Sequence, residues 1–350
     1  MNREALAARV RRGECVSKVD LAGVDLSGLD LGGAMLHTVS LRGARLAGAS
    51  LAESTLSSCD LTGADLRGAT LSFAVFDGCA LDDAQLQGAD LRRAKLNNCG
   101  VKRADLARLT LAGTLFADCD LRGASLAGAT LDGTVLASPK AAGLRLDGVS
   151  MRKAVWLKAD LTGVTVAGAR IEHGIFHDCA LSGLDFSGLD LTRSQLMGCD
   201  LAGVNLERAT LRNCNFRRAN LSMANLKRAD ATNAVFVQAQ LRRATVRGAR
   251  LHQSLFVEAD LRRANLTDAD LRQCVFHRAL CAGARFMGAD LAEADLSYAD
   301  LEASEFTGAK LRRTRLHGAN LADVVGLGEG TLGDDEALAA AERAVARSSA

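Results

Sequence analysis

From Val19 to Asp323 the chain repeats every five residues, in 61 consecutive units without an insertion or deletion. The unit centres fall at Leu21, Leu26, Leu31 and onward to Leu321, and 42 of them are Leu and 10 are Phe. Two residues before the centre, 33 units carry Ala and 8 carry Cys; two residues after it, 26 carry Gly. The residue just before the centre is often Asp or Asn, as in Ala64-Asp65-Leu66 and Ala219-Asn220-Leu221. This period excludes an α-helix, because successive centres would be rotated by about 140° and Leu would cover every face. It excludes a straight strand too, since an odd period sends each new centre to the opposite face. The pattern closes only if the chain turns a corner within each unit. The centre and the residue two before it then face inward, and Gly stands where the corner needs a positive φ. A chain that turns this often coils, and its coils stack through backbone hydrogen bonds. The fold class is an all-β solenoid.

A second period sets the number of sides. Cys59, Cys79, Cys99 and Cys119 are 20 residues apart, and Cys179 and Cys199 continue their column. Phe76, Phe116, Trp156, Phe176, Phe216, Phe236, Phe256 and Phe276 also differ by multiples of 20. Twenty residues are four units, so each coil has four sides and like side chains stack at about 4.8 Å. These Cys and aromatic columns form the expected core. Sixty-one units make about fifteen coils, a parallel β-helix roughly 70–75 Å long at that rise.

The A-(D/N)-L-x-x unit, sustained in frame, resembles the pentapeptide-repeat family. That resemblance implies a right-handed quadrilateral parallel β-helix. The expected organisation is an N-terminal helical cap over 1–18, the β-helix over 19–323, and a C-terminal helical cap or dimerisation tail over 324–350. The first helix is read at Asn2–Arg12, with Leu6 and Val10 four apart. The second starts at Gly333-Asp334-Asp335-Glu336, whose acidic residues suit a first helical turn, and leads into Ala337–Arg347. Open solenoid ends need covering, so a plain cap is one reading of the tail. A homodimer contact, which some family members place there, is the other. The repeat is weakest over 138–157, where Pro139 takes an inward position and Met151 and Trp156 replace Leu. An irregular coil, distorted or bulged, is expected there.

Composition enters where function is concerned. Hydrophobic residues are 48 % and aromatics 4 %, with one Pro, and 43 basic residues nearly cancel 41 acidic ones. The near-zero balance gives no whole-chain argument for nucleic acid or membrane binding. No apolar run approaches the roughly 18 residues of a transmembrane helix, and Met1–Arg12 lacks the apolar core of a secretory signal. A cytoplasmic protein with reduced thiols is expected. The charge is polarised, however: residues 19–91 carry 10 acidic and 3 basic residues, and residues 207–278 carry 6 acidic and 14 basic. In the second stretch Arg242 and Arg262 share a column, as do Arg243 and Arg263, while Arg208, Lys227, Arg228 and Arg247 populate another side. These eight form the candidate interaction surface, set against the reading of an ordinary solvated face.

Catalytic and cofactor signatures are missing. Eight Cys occupy inward positions without metal-ligand spacing, so they read as small core residues, with Cys15 the candidate exposed thiol. His173 and His177 fall on different sides of a coil. No phosphate loop or dinucleotide fingerprint occurs, no cofactor or metal is expected, and the chain reads as a non-enzyme. Two binding functions compete. One is a protein-interaction scaffold or adaptor. The other, implied by resemblance to quinolone-resistance pentapeptide proteins, is a DNA-mimicking regulator of gyrase or another topoisomerase. Duplex DNA carries a negative charge per roughly 1.7 Å, which a chain of net charge +2 does not match. The opening Leu6-Ala7-Ala8-Arg9-Val10-Arg11-Arg12-Gly13-Glu14, followed by Val19-Asp20-Leu21-Ala22-Gly23, is similar to pentapeptide proteins associated with bacterial type VI secretion spikes. That resemblance implies secretion spike or effector proteins as partners and favours the adaptor.

Overall fold

The computed structural model describes residues 1–332. The expected C-terminal helix, from Gly333 onward, lies outside the described residues. The chain divides into two compact units at Asp185/Phe186, and each is built on the same twenty-residue register.

Unit 1 opens with helix α1 (Arg3–Arg11), whose N-cap is Asn2: its side chain accepts the N–H of Ala5 at 2.9 Å. Leu6 is fully buried, and Arg9 ties the helix to the chain that follows through Glu14 at 2.9 Å and the carbonyl of Cys15 at 2.8 Å. The strands then come once per coil up to β7 and twice per coil beyond it: β1 (Val16–Ser17), β2 (Met35–His37), β3 (Thr55–Ser57), β4 (Val75–Asp77), β5 (Lys95–Asn97), β6 (Leu115–Ala117), β7 (Val135–Ala137), β8 (Ser150–Arg152), β9 (Val155–Leu157), β10 (Arg170–Glu172) and β11 (Ile175–His177). Nine of them form one sheet, ordered β1-β2-β3-β4-β5-β6-β7-β9-β11, entirely parallel. Its register is Leu36↔Leu56, Leu56↔Phe76, and so on to Trp156↔Phe176, about eight turns. The weak stretch 138–157 keeps this register: Lys140 pairs with Asp120 on one side and Asp160 on the other, so no residue is inserted. What changes there is that β8 and β10 add pairing on a second side.

Unit 2 pairs more sparsely. Single-residue bridges such as Val235↔Leu255 and Thr245↔Asn265 repeat every twenty residues. At the end, β12 (Thr314–Arg315) pairs with β13 (Thr331–Leu332) at a spacing of 17, so the last stretch cuts one corner short.

The interior follows the repeat. Phe76, Phe116, Trp156, Phe176, Phe216, Phe236, Phe256 and Phe276 are at most 3 % exposed, and Cys59, Cys79, Cys99 and Cys119 at most 2 %. Phe216, Phe236, Phe256 and Phe276 stack ring on ring at 4.7–5.0 Å, the spacing the coil rise imposes. The corners are uniform as well. All 61 residues that stand two after a centre have positive φ, of which 26 are Gly and 35 are not. The backbone therefore dictates the left-handed conformation, and Gly only relieves it.

The buried thiols have a second role beyond filling space. Corners such as Leu41–Ala44 close with a bond from the N–H three residues on to the centre carbonyl, here 3.0 Å. The corner after each of β3 to β6 lacks that bond among the described residues. In these coils the Sγ of Cys59, Cys79, Cys99 and Cys119 donates to the carbonyl of Leu36, Leu56, Phe76 and Leu96, at 3.2–3.6 Å. Thr114 and Thr134, also buried, reach carbonyls in the preceding coil in the same way. These inward polar atoms are thus satisfied, while the buried Trp156 Nε1 and Ser194 Oγ have no hydrogen-bond partner among the described residues, and burial pushes the Cys214 thiol up to about 12.

Candidate interaction surface

In each unit of the repeat, the two residues after the centre form the corner and point outward. Arg242, Arg243, Arg262 and Arg263 occupy the same corner of two successive coils. With Ser222 and Met223 they line one groove of about 430 Å³. Lys227, Arg228 and Arg247 occupy the next corner, in a groove of about 520 Å³ shared with Glu207, Gly248 and Asp268. Arg208 stands on that corner one coil earlier, exposed. The structure therefore brings all eight candidate residues to the two edges of one side of unit 2.

Between the two edges runs a polar ladder that sequence reasoning did not single out. Asn205, Asn225, Thr245 and Asn265 pair coil to coil and present their side chains outward. Asn225 donates to Asn205 at 3.1 Å and to Glu207 at 3.2 Å. Reading the residues before each centre in twenty-residue columns would have found this ladder. Met223, 63 % exposed, forms the apolar floor of the first groove.

The cations differ in what holds them. Arg242 and Arg262 both bond the carboxylate of Asp260, whose side chain is 11 % exposed. Burial works against that charge, but the two guanidinium groups outweigh it and keep Asp260 below the usual carboxylate range. Arg247 reaches Asp268 at 3.3 Å. Arg208, Lys227, Arg228, Arg243 and Arg263 form no ion pair among the described residues, and the four arginines sit at positive-φ corners. This side thus offers five cations that form no ion pair, set around neutral hydrogen-bonding groups and Glu207, an arrangement suited to an anionic macromolecular surface.

The acidic part of unit 1 is organised differently. Asp25, Asp65, Asp82, Asp83 and Asp90 are matched by Arg45, Arg67, Lys102, Arg103 and Arg92. Many of its carboxylates also accept the N–H two residues on, as Asp20 does from Ala22 and Asp60 from Thr62, both at 2.9 Å. The side chain of His173 stands at a corner and that of His177 on β11, where it meets Asp178 at 3.5 Å.

Family models agree with this architecture. The model for pentapeptide repeats, eight copies long, matches 20–57, 36–72, 59–98, 102–136, 175–213 and 284–323, and the pentapeptide repeat region model matches 209–286. The chain belongs to the pentapeptide-repeat family. Among solved structures it is similar to HetL, a pentapeptide repeat protein involved in heterocyst differentiation regulation from the cyanobacterium Nostoc sp. strain PCC 7120. The identity is 25 %, over 67 % of this chain and 91 % of that one, with a TM-score of 0.21. It is also similar to full-length QnrB1, a plasmid-mediated fluoroquinolone resistance protein (24 % identity, 57 % and 96 % covered, TM-score 0.27). A third is the pentapeptide repeat protein Rfr23 from the cyanobacterium Cyanothece 51142 (24 %, 40 % and 91 %, 0.28). No curated protein matches at a significant level. Among the described residues, no helix is long and apolar enough to cross a membrane.

Proposed function

We propose that this pentapeptide-repeat protein is a non-enzymatic docking scaffold or adaptor whose contact surface is the basic side of unit 2. The observation that carries the reading is the set of five unpaired cations along both edges of the Asn225–Thr245–Asn265 ladder. Their partner in this reading is an acidic protein surface. The similarity of the opening segment to type VI secretion-associated relatives names one such setting, a spike or effector complex. In unit 1, by contrast, much of the acidic charge is already matched, which weighs against the DNA-mimicking alternative.

The test is affinity capture from the source cells, with wild type beside the fourfold variant Arg242→Ala, Arg243→Ala, Arg262→Ala, Arg263→Ala. Exposed ion pairs contribute only about 0–1 kcal/mol each, so the four change together. A partner that the variant loses, and that wild type loses as salt shortens the Debye length from about 10 Å to 3 Å, supports the basic side. A partner held equally by both proteins removes the Arg242–Arg263 corner from the contact. Inhibition of gyrase supercoiling, abolished by neutralising Asp60, Asp65, Asp82 and Asp83, would instead establish the topoisomerase reading.

A further inference from the structure

The outer face of the unit 1 sheet changes character along its length. On β2 to β5 the outward side chains are mixed: Met35, His37, Thr55, Ser57, Val75, Asp77, Lys95 and Asn97. On β6, β7 and β9 they are entirely apolar: Leu115 and Ala117, Val135 and Ala137, Val155 and Leu157, all half-buried. Ile175 on β11 extends the column and is 37 % exposed. Parallel sheets are ordinarily covered on both faces, and a contiguous apolar patch rimmed by charge marks an association site.

We propose that this face is a self-association surface, on which a second copy of the chain packs sheet against sheet, antiparallel along the coil axis and centred on β7. The charges on the rims select this arrangement. The corner after the strands carries Asp118, Ser138, Lys158 and Asp178 in successive coils, and the corner before them carries Arg92 with Arg93, Asp132, Arg152 with Lys153, and Glu172. Asp118 and Lys158 form no ion pair among the described residues. A twofold axis at β7 sets Asp118 against Lys158 of the second copy, twice, and brings Arg92, which also holds Asp90 at 2.8 Å, to its Glu172. It also places Leu115 over Val155, Ala117 over Leu157, and Val135 over itself. Asp132 meets its own copy at the axis, where each carboxylate already has Arg152 at 2.7 Å. Moving the axis midway between β7 and β9 would put Asp118 on Asp178. Pairing the copies in parallel would put Lys158 on Arg152 and Lys153, and Asp178 on Glu172. The footprint spans about five coils, roughly 400 Å² per copy at a coil rise of about 4.8 Å. That lies below the usual range for a stable complex, so the dimer is a concentration-dependent one.

Sedimentation velocity of the full chain over a wide concentration range tests this, with three variants. Val135→Lys places a charge at the axis in a column where Lys95 is already accommodated, so the coil still folds. It is expected to abolish the dimer. Lys158→Asp sets like charges together and should weaken association at least about tenfold. The exchange Asp118→Lys with Lys158→Asp should restore it, because each new charge again meets its opposite across the axis. Wild type that stays monomeric throughout, a dimer indifferent to Val135→Lys, or a double exchange that does not recover the loss from Lys158→Asp would each overturn the proposal.

Discussion

Units 1 and 2 share one backbone and diverge in what it carries. In unit 1, Gly fills 18 of 33 corners and one side is a continuous parallel sheet. In unit 2, Gly fills only 8 of 28 corners, four Phe rings stack in one column, and the sides are held by single-residue bridges. Positive φ holds at every corner of both. The corner conformation is therefore a property of the coil, while the corner side chain is open to selection for other ends. Unit 2 spends those positions on Arg, Lys and other long side chains, and that is where its basic surface comes from.

The contrast between inside and outside gives the largest expected effect. Leu206→Asp in unit 2 would bury an unpaired carboxylate at a centre that is 1 % exposed, costing several kcal/mol. Arg243→Ala, at a corner, should leave the denaturation midpoint within about 0.5 kcal/mol of wild type. Equal shifts in the two variants would break the assignment of faces.

Exchanging corner residues gives effects of intermediate size. An added Cβ at Gly63 in unit 1 meets nothing within 4 Å, so Gly63→Ala tests the φ of +66° alone and should lose about 1 kcal/mol. Arg263→Gly in unit 2 relieves the same conformation and gives up no ion pair. It should leave stability unchanged or raise it by up to about 1 kcal/mol, the gain being reduced by the greater freedom of unfolded Gly. A marked loss from Arg263→Gly in urea titrations would show that the arginine is structural.

Acid should affect both units slightly. Side-chain hydrogen bonds from Arg67, Arg92 and Arg272 hold Asp65, Asp90 and Asp270 below the usual carboxylate range. Groups with a depressed folded pKa contribute stability above their unfolded value near 4, and that contribution fades as pH falls through the folded value. The urea midpoint should therefore be flat from pH 7 to 5 and decline below about pH 4. Because the arginines are exposed, the decline is small.

The repeat made much of this legible. A five-residue period with alternating inward positions leaves a solenoid as the one arrangement that turns the centre residues inward together, and the twenty-residue columns of Cys and Phe set the register. The basic corner residues were visible for the same reason. Four features were not. Thirty-five non-Gly corners adopt positive φ, which residue preference alone argues against, because tertiary stacking overrides it. The thiol bonds to carbonyls, made by Cys59, Cys79, Cys99 and Cys119 and again by Cys214 and Cys274, are a detail of local geometry that Cys spacing does not encode. The polar ladder and the apolar sheet face lie in outward columns, whose variability hides them until coils are aligned.

In the proposed function, partner contact belongs to the basic side of unit 2. Oxidative footprinting reads this directly, because each unit carries its own reporter: Met223, 63 % exposed in the groove with Arg242, Arg243, Arg262 and Arg263, and Met35, 44 % exposed on the unit 1 sheet. In the complex with a captured partner, Met223 is predicted to oxidise at least about tenfold more slowly while Met35 keeps its free rate. Protection of Met35 with Met223 unchanged would contradict the account.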